Sequence, residues 1–184
     1  MDYTVFHTGY GHSGIVYWLD NEVAKVVQLL LPRPSEKMAK EVIKSRFPEA
    51  QISPGDEVSE LRSRFQDFFL GNPNSIPLTL VDLSICTPFQ QSVLREEHAI
   101  PRGMTSSYRR IAKRLDSRAV RAVGSALARN PFPIVVPCHR AVRSDRTLGG
   151  YQGGLDMKRR ILSMEGVKFD SRGRVHSDCF LDTD

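Results

Sequence analysis

Cysteine is scarce in this 184-residue chain, and long apolar runs are missing from it. The three cysteines, Cys86, Cys138 and Cys179, are widely spaced and odd in number, which argues against a disulfide framework. No apolar run reaches the roughly 20 residues that a membrane-spanning helix needs. The first residues also lack the basic and then apolar pattern of a secretory signal. We therefore expect a reducing cytoplasm and no membrane association.

Basic residues are few in the first half of the chain and abundant in the second. Up to Ile85 there are 8 Lys and Arg against 11 Asp and Glu, a net charge of −3. From Cys86 onward there are 18 against 10, a net charge of +8. Such asymmetry indicates a polyanionic partner for the second half. The length suits one large domain or two small ones.

The first half has the pattern of an α+β domain, and it predicts a supporting role. Runs rich in β-branched and aromatic residues predict strands at residues 3–7, 15–19, 22–31 and 78–83, with the first two as a hairpin. Helices are predicted from the Ser35 N-cap to about residue 46, and over residues 58–70. His7 and His12 have no cysteine or carboxylate at ligand spacing, so no metal site is expected.

The second half predicts three helices that include a helix-turn-helix unit. Thr87 and Pro88 are typical of a helix start, and this helix should run to about His98. A second helix should begin at Thr105 or Ser106, and a third should cover residues 118–128. The third helix has an apolar stripe, and basic and small residues share another face, which suits a nucleic-acid groove. These exposed candidates are Arg118, Arg121, Ala122, Ser125 and Arg129. A merely solvated basic face is the alternative.

Cys138 is the strongest candidate for chemistry. The apolar run at residues 134–136 predicts a buried strand end, and Pro137 forbids its continuation. His139 and Arg140 follow at once, and both would favour a thiolate, which is the nucleophilic form of cysteine. A buried cysteine beside a proline, with no chemical role, is the simpler alternative.

Two features after Cys138 complete the candidate site. Residues 148–154 form a glycine-rich loop in which Tyr151 offers a ring for stacking on a flat ligand. A helix is predicted over residues 155–164, and Glu165 after it is the carboxylate that we expect to orient His139. The polar tail at residues 170–184 is expected to be loosely ordered, and Cys179 within it to be incidental.

Several motifs between residues 87 and 166 resemble those of the O6-alkylguanine-DNA alkyltransferases, also called methylated-DNA–protein-cysteine methyltransferases. They occur in the order of that family. They are Thr87-Pro88-Phe89-Gln90, Ser107-Tyr108, Arg121-Ala122-Val123-Gly124, Asn130-Pro131, Pro137-Cys138-His139-Arg140, Gly150-Tyr151 with Gly153-Gly154, and Glu165-Gly166.

The resemblance implies an α+β protein of two domains. Residues 1–84 would form a ribonuclease-H-like antiparallel sheet with helices. Residues 87–169 would form a helical domain with a winged-helix-like helix-turn-helix that binds DNA and transfers the alkyl group. No cofactor and no metal are implied.

The resemblance also implies a role for each site residue. Cys138 would take the alkyl group from O6 of guanine, His139 would accept the thiol proton through a water, and Glu165 would hold the imidazole. Tyr108 would contact a phosphate and the base, and Arg121 would fill the space of the extruded guanine. Asn130 would brace the turn before the cysteine. The pocket and its support would include Pro133, Arg140, Tyr151, Gln152 and Gly153.

The implied activity is direct reversal of DNA damage, with one transfer for each protein molecule. The partner would be double-stranded DNA that carries O6-alkylguanine, bound through the minor groove with little sequence preference. A monomer is expected, in the cytoplasm beside the nucleoid, or in the nucleus of a eukaryote. Two alternative functions belong to other classes of protein. One is a lesion-binding protein that transfers no alkyl group, and the other is a cysteine hydrolase. Cys138 argues against the first, and the adjacency of His139 to it argues against the second.

Overall fold

The computed structural model describes residues 1–73 and 75–181, and it divides them into two compact units. The first comprises Met1–Ile85 and Pro131–Val135, and the second comprises Cys86–Asn130 and the described residues from Val136 onward. Within the described ranges, no helix is both long and apolar enough to cross a membrane.

The first unit contains a four-stranded sheet in the order β3-β2-β1-β4. Strands β1 (Asp2–Thr8), β2 (Gly11–Asp20) and β3 (Val23–Arg33) are antiparallel neighbours, as the residue patterns predict. The short β4 (Gln51–Ile52) pairs in parallel with the start of β1.

Helices cover both faces of this sheet because its side chains alternate. Tyr3 and Val16 face α1 (Glu36–Arg46), whose Ile43 is buried against them. Phe6 points to the other face, where its ring meets Phe65 of α2 (Ser59–Phe69) edge to face at 5.9 Å. Ser35 accepts a hydrogen bond from the backbone N–H of Met38 and caps α1, as predicted.

The strand predicted at residues 78–83 is wrong, and the sheet is mixed rather than antiparallel. That stretch forms two 3-10 turns, Leu78–Leu80 and Leu83–Ile85. The Asp82 carboxylate accepts hydrogen bonds from the backbone N–H and the hydroxyl of Ser84, at 2.9 and 2.6 Å. Such local bonds compete with the ladder of a strand.

The second unit is built from four helices and a two-stranded sheet. Helices α3 (Pro88–His98), α4 (Tyr108–Arg114) and α5 (Val120–Ala128) pack on one another. Strands β5 (Ser106–Ser107) and β6 (Ala141–Val142) are parallel neighbours, and α6 (Gly154–Met164) follows them along the chain. Thr87 caps α3 as predicted, because its hydroxyl accepts from the backbone N–H of Gln90 at 3.3 Å.

Helix α4 begins two or three residues later than predicted, and α5 begins two residues later. Ser106 is held in β5, and the Ser107 hydroxyl caps α4 by accepting from the backbone N–H of Arg110 at 3.0 Å. Arg118 precedes α5 because the Ser117 hydroxyl accepts from the backbone N–H of Ala119, which makes a local turn there.

The C-terminal stretch is ordered as far as residue 181, contrary to the predicted loose tail; residues 182–184 of that prediction lie outside the described residues. Val175 and Cys179 are buried in a core with Val142, Leu162 and Val167. The backbone of Thr105 donates to the carbonyl of Cys179 at 2.8 Å. Apolar burial and backbone pairing therefore outweigh the polar composition.

The first unit is not contiguous in sequence, although domains of residues 1–84 and 87–169 were predicted. Pro131 belongs to the first unit, where its carbonyl accepts from the backbone N–H of Leu29 at 2.8 Å. The Gln28 side chain donates to the same oxygen at 3.0 Å.

Candidate active site

Cys138 lies on a buried 3-10 turn, Cys138–Arg140, directly after Pro137. The residues before it form a buried turn rather than the predicted strand end, and Ile134 has a left-handed φ of 76°. Asn130 holds the approach to the cysteine, because its Nδ2 donates to the carbonyl of Val136 at 3.0 Å. The Asn130 side chain also hydrogen-bonds Cys138.

The Cys138 sulfur is a buried thiol at neutral pH, so the expected resting thiolate is wrong. Burial raises the pKa of this thiol from 9.0 to about 12, although the hydrogen bond from Asn130 acts to lower it. The charge of Glu97 raises the pKa further and that of Lys158 lowers it. The Arg140 guanidinium, which was expected to favour the thiolate, pairs with Glu165. A nucleophile in this state needs a base that removes its proton as it reacts.

Glu165 orients His139 as the sequence predicts. The Nε2 atom of His139 lies 3.1 Å from Oε1 of Glu165, and both side chains are fully buried. Burial lowers the pKa of His139 below 6.5, while the hydrogen bond to Glu165 opposes this shift. The imidazole is therefore neutral at pH 7 and can accept a proton.

Arg140 acts on Glu165. Its Nε and Nη2 donate to the two carboxylate oxygens at 3.0 and 2.7 Å, and its Nη1 donates to the carbonyl of Ile100 at 2.5 Å. Burial acts to raise the pKa of Glu165, but the hydrogen bonds and charges of His139 and Arg140 lower it to about 2. Glu165 is therefore an ionised carboxylate that fixes the imidazole by a two-point ion pair.

A cavity of about 300 Å³ opens on Cys138. Two tyrosines contribute to its walls, and the ring of Tyr151 meets that of His139 edge to face at 6.3 Å. Gly149 has φ 65°, and a Cβ at this position would lie 3.0 Å from the Tyr108 hydroxyl, so glycine permits this close approach. The lining residues are Tyr108, Gly124, Leu127, Ala128, Cys138, Gly150, Tyr151 and Gln152.

Burial raises the pKa values of both cavity tyrosines. That of Tyr108 reaches about 12, and that of Tyr151 lies well above 10.0. Both phenols are therefore neutral hydrogen-bond donors at physiological pH. A cavity lined by two aromatic rings and by the Cys138 side chain suits a flat aromatic ligand.

The side chains predicted to face nucleic acid are all exposed on or beside α5. Val123 and Leu127 of this helix are buried, which turns the opposite face outward. That outward set consists of Arg118, Arg121, Ala122, Ser125 and Arg129. Because Leu127 and Ala128 also line the cavity, one helix joins the basic surface to the cavity of the thiol.

Two glutamine amides bind the carbonyls at the end of α5. Gln90 of α3 donates to the carbonyls of Ala126 and Arg129, both at 3.2 Å. Gln152 donates to those of Ala128 and Asn130 at 3.0 and 2.8 Å. These bonds satisfy groups that a helix leaves open at its C-terminus. The two bonds of Gln152 also fix the glycine-rich loop to the helix that leads into Asn130.

Two buried charged residues near the thiol were missed by the sequence analysis. Glu97 lies on the apolar face of α3, and Lys158 lies on that of α6. Each is 0% exposed. The burial of Lys158 could have been predicted from the sequence. It precedes the core residues Ile161 and Leu162 by three and four positions, which places all three on one helix face.

Two residues predicted for the pocket and its support are not among those that line the cavity. Pro133 is buried within the first unit, and the cavity lining does not include it. Gly153 is the residue before α6 and is also absent from the lining. Within the described part of the chain, no group of His, Cys, Asp and Glu side chains could hold a metal ion.

Residues 88–167 match the family model described as 6-O-methylguanine DNA methyltransferase, DNA binding domain. The chain is 41% identical over 120 residues to a methylated-DNA–protein-cysteine methyltransferase of Methanothermobacter thermautotrophicus, covering 65% of this chain and 68% of that protein. A protein of the same name from Methanosarcina mazei is 37% identical over 123 residues, which are 66% of this chain and 77% of that protein.

Solved structures resemble the chain over most of its length. The crystal structure of Mycobacterium tuberculosis OGT in complex with DNA has a TM-score of 0.71 and 29% identity, covering 90% of this chain and 92% of that one. O6-methylguanine-DNA methyltransferase from Pyrococcus kodakaraensis has a TM-score of 0.70 and 26% identity, covering 90% and 99%. Together with the Cys138 thiol in the cavity lining and the buried pair of His139 and Glu165, these similarities show that the chain belongs to the methylated-DNA–protein-cysteine methyltransferase family.

Proposed function

We propose that this protein repairs DNA by moving the alkyl group of O6-alkylguanine to the sulfur of Cys138. The supporting observation is the buried Cys138 thiol in the lining of a cavity that two tyrosines also line, next in sequence to a neutral histidine fixed by a carboxylate. The bond from sulfur to the alkyl carbon forms as the bond from that carbon to O6 breaks. The electron pair stays with the guanine, which takes up a proton.

His139 takes the proton of the thiol. Its Nε2 is bonded to Glu165, so Nδ1 is the ring nitrogen that accepts the proton, through a bridging water. The imidazolium that forms is stabilised by the ionised Glu165, which Arg140 holds in place. This base is needed because burial raises the pKa of Cys138 to about 12. The thioether product does not hydrolyse under mild conditions, so each molecule acts once.

The substrate base must leave the duplex before it can reach the thiol. A base inside a duplex hides its O6 group from a protein nucleophile, and extrusion costs a few kcal/mol. Arg121 on the exposed face of α5 fills the gap in the base stack, and the Tyr108 hydroxyl donates to the extruded base. Arg118 and Arg129 bind phosphates. Binding through the minor groove gives little sequence preference and strong salt dependence.

The first unit supports the second, and the protein acts as a monomer on DNA, in the cytoplasm beside the nucleoid or in a nucleus. A lesion-binding role without transfer is the alternative function. Cys138 opposes it, because the sulfur borders the cavity that the base would enter.

Intact mass spectrometry after incubation with duplex DNA that carries one O6-methylguanine tests the proposal. We expect a stable gain of one methyl group, placed on Cys138 by peptide mapping. Undamaged duplex and the Cys138→Ser variant should give no adduct, whereas Cys179→Ser should react normally. DNA binding without any adduct would support the lesion-binding alternative and overturn the proposed transfer.

A further inference from the structure

Glu97 is a buried carboxyl group without a hydrogen-bond donor of good geometry. It follows Val93 and Leu94 on the inner face of α3 and is 0% exposed. Among the described residues, neither carboxyl oxygen of Glu97 has a hydrogen-bond partner at normal distance and angle. The backbone N–H of Ala141 is close enough to lower the pKa of Glu97 slightly. An ionised carboxylate is strongly disfavoured in such surroundings.

Lys158 cannot supply the missing donor. Its ammonium has three N–H groups, and three backbone carbonyls occupy it. It donates to those of Ala141 at 2.6 Å and Gly150 at 3.2 Å, and to that of Leu148. The ammonium is thus tied to the backbone around the cavity, and it acts on Glu97 only through its charge.

Both residues act on the thiol from opposite helices. Helices α3 and α6 each pack against the turn Cys138–Arg140. The charge of Lys158 favours the thiolate of Cys138, whereas a negative charge on Glu97 opposes it. The net effect on the sulfur therefore depends on whether Glu97 carries a proton.

The charged and titratable groups that act on Glu97 come from every element around it. Lys158 of α6 and Arg140 of the turn favour its ionised form, while burial disfavours that form more strongly and raises its pKa to about 8. Tyr108 of α4 and Cys138 of the turn also face it, and both are neutral at pH 7. Burial lowers the pKa of Lys158 to about 8, although the charges of Cys138 and Glu97 oppose this shift. Arg143 acts on Lys158 and on Tyr108.

We propose that Glu97 is a positioning residue that controls the charge at the thiol, holding a proton while the protein is active. With Glu97 neutral, the buried ammonium of Lys158 is the charge that favours the developing thiolate. When Glu97 loses its proton in alkaline solution, its negative charge opposes the thiolate in the same pH range in which Lys158 loses its positive charge, and transfer slows. This inference rests on the proposed function, since it concerns the same sulfur.

The test is the pH dependence of single-turnover alkyl transfer in the wild type and in Glu97→Gln, which is permanently neutral and similar in shape. In the wild type, the rate should fall above about pH 8, as Glu97 ionises and Lys158 loses its proton. In Glu97→Gln only the loss of the Lys158 charge remains, so the rate should fall less. The ratio of the variant rate to the wild-type rate should be at least about threefold higher at pH 9 than at pH 7. Glu96→Gln is the matched control, because the neighbouring Glu96 pairs with Arg114, and it should keep the wild-type profile.

Two further measurements do not depend on DNA. In a Cys86→Ala, Cys179→Ala background, the reaction of Cys138 with iodoacetamide should show the same difference between wild type and Glu97→Gln. The carboxyl carbon of Glu97 should titrate near pH 8 by NMR in the wild-type protein, which also decides the matter if Glu97→Gln does not fold. Titration near 4.5, or identical iodoacetamide profiles, would overturn the inference. Absence of transfer in every protein would overturn the proposed function instead, and the iodoacetamide profiles would still decide the role of Glu97.

Discussion

At the scale of single residues, the thiol is controlled by hydrogen bonds and buried charges rather than by its sequence neighbours. His139 and Arg140 follow Cys138 directly, yet both turn to Glu165. Burial has the largest effect on the pKa of the Cys138 thiol and keeps it protonated. A protonated thiol is poorly nucleophilic, which protects Cys138 from side reactions until a substrate and a base are both in place.

Asn130 provides a test at this scale. Replacing Asn130 by alanine removes the donor to the Val136 carbonyl and the hydrogen bond that lowers the pKa of Cys138. We expect the thiol pKa to rise further, the transfer rate at pH 7 to fall by tenfold or more as an order of magnitude, and the protein to lose about 1–3 kcal/mol of unfolding free energy. Iodoacetamide kinetics and urea unfolding measure these effects. The exposed Asn72→Ala should change neither, and wild-type values for Asn130→Ala would contradict its role.

At the scale of elements, α5 joins the basic surface to the reactive cysteine. Its exposed side carries Arg121, its buried side carries Val123 and Leu127, and the chain beyond its end leads through Asn130 to Cys138. Few residues separate the basic surface of α5 from Cys138. A displacement of α5 would therefore move the cysteine and the cavity together.

The arginines beside α5 should contribute to DNA affinity through phosphate contacts. Arg118→Ala and Arg129→Ala should each weaken binding of undamaged duplex and lower the slope of log affinity against log salt by about 1. Binding titrations at several salt concentrations measure this slope. Arg46→Ala, at the end of α1 in the first unit, is the control and should leave the slope unchanged. Unchanged slopes for both α5 variants would contradict phosphate contact.

The glutamine amides at the end of α5 should stabilise this helix. Gln90→Leu and Gln152→Leu each remove two hydrogen bonds to carbonyls at the end of α5. We expect each to lower the unfolding free energy by about 1–2 kcal/mol and to speed amide exchange in the last turn. Gln91→Leu is the matched control, since Gln91 donates instead to the carbonyl of Cys86 and should leave α5 exchange unaltered. If amide exchange in the last turn of α5 were as slow in both variants as in the wild type, packing alone would hold the helix end.

At the scale of the whole molecule, buried ionisable groups link folding to pH. The pKa of His139 is lowered by burial, so below its usual 6.5 the unfolded chain binds a proton that the native protein resists. The pKa of Glu165 is lowered from 4.5 to about 2, so its stabilising effect is present above 4.5 and is lost as the pH falls towards 2. Both effects lower the free energy of unfolding as the pH falls.

Acid should therefore unfold this protein in two overlapping stages. The melting temperature should fall below about pH 6.5 because of His139, and Glu165 should account for a loss of up to about 3 kcal/mol between pH 4.5 and 2. Calorimetry over this range measures the loss. Glu165→Gln should be less stable near neutral pH and should lose less on further acidification. An identical slope below pH 4.5 in the variant would contradict this linkage.

The sequence by itself determined most of the helices, the hairpin with its third strand, and the family. Caps such as Ser35 and Thr87 and the apolar spacing in α2 are local signals, and local signals can be read without a fold. The motif around Cys138 and the pairing of His139 with Glu165 were also predictable, the second from the resemblance and the nearby carboxylate. The basic residues of α5 are exposed as their spacing indicated.

Only the tertiary structure decided the electrostatics of the site and the order of the C-terminal stretch. The thiol is protonated because of burial, and Arg140 binds Glu165 because the chain folds back between them. Glu97 and Lys158 are far apart in sequence, and their influence on Cys138 arises from helices packed on one turn. Desolvation depends on what surrounds an atom in space, and a linear pattern does not contain that information.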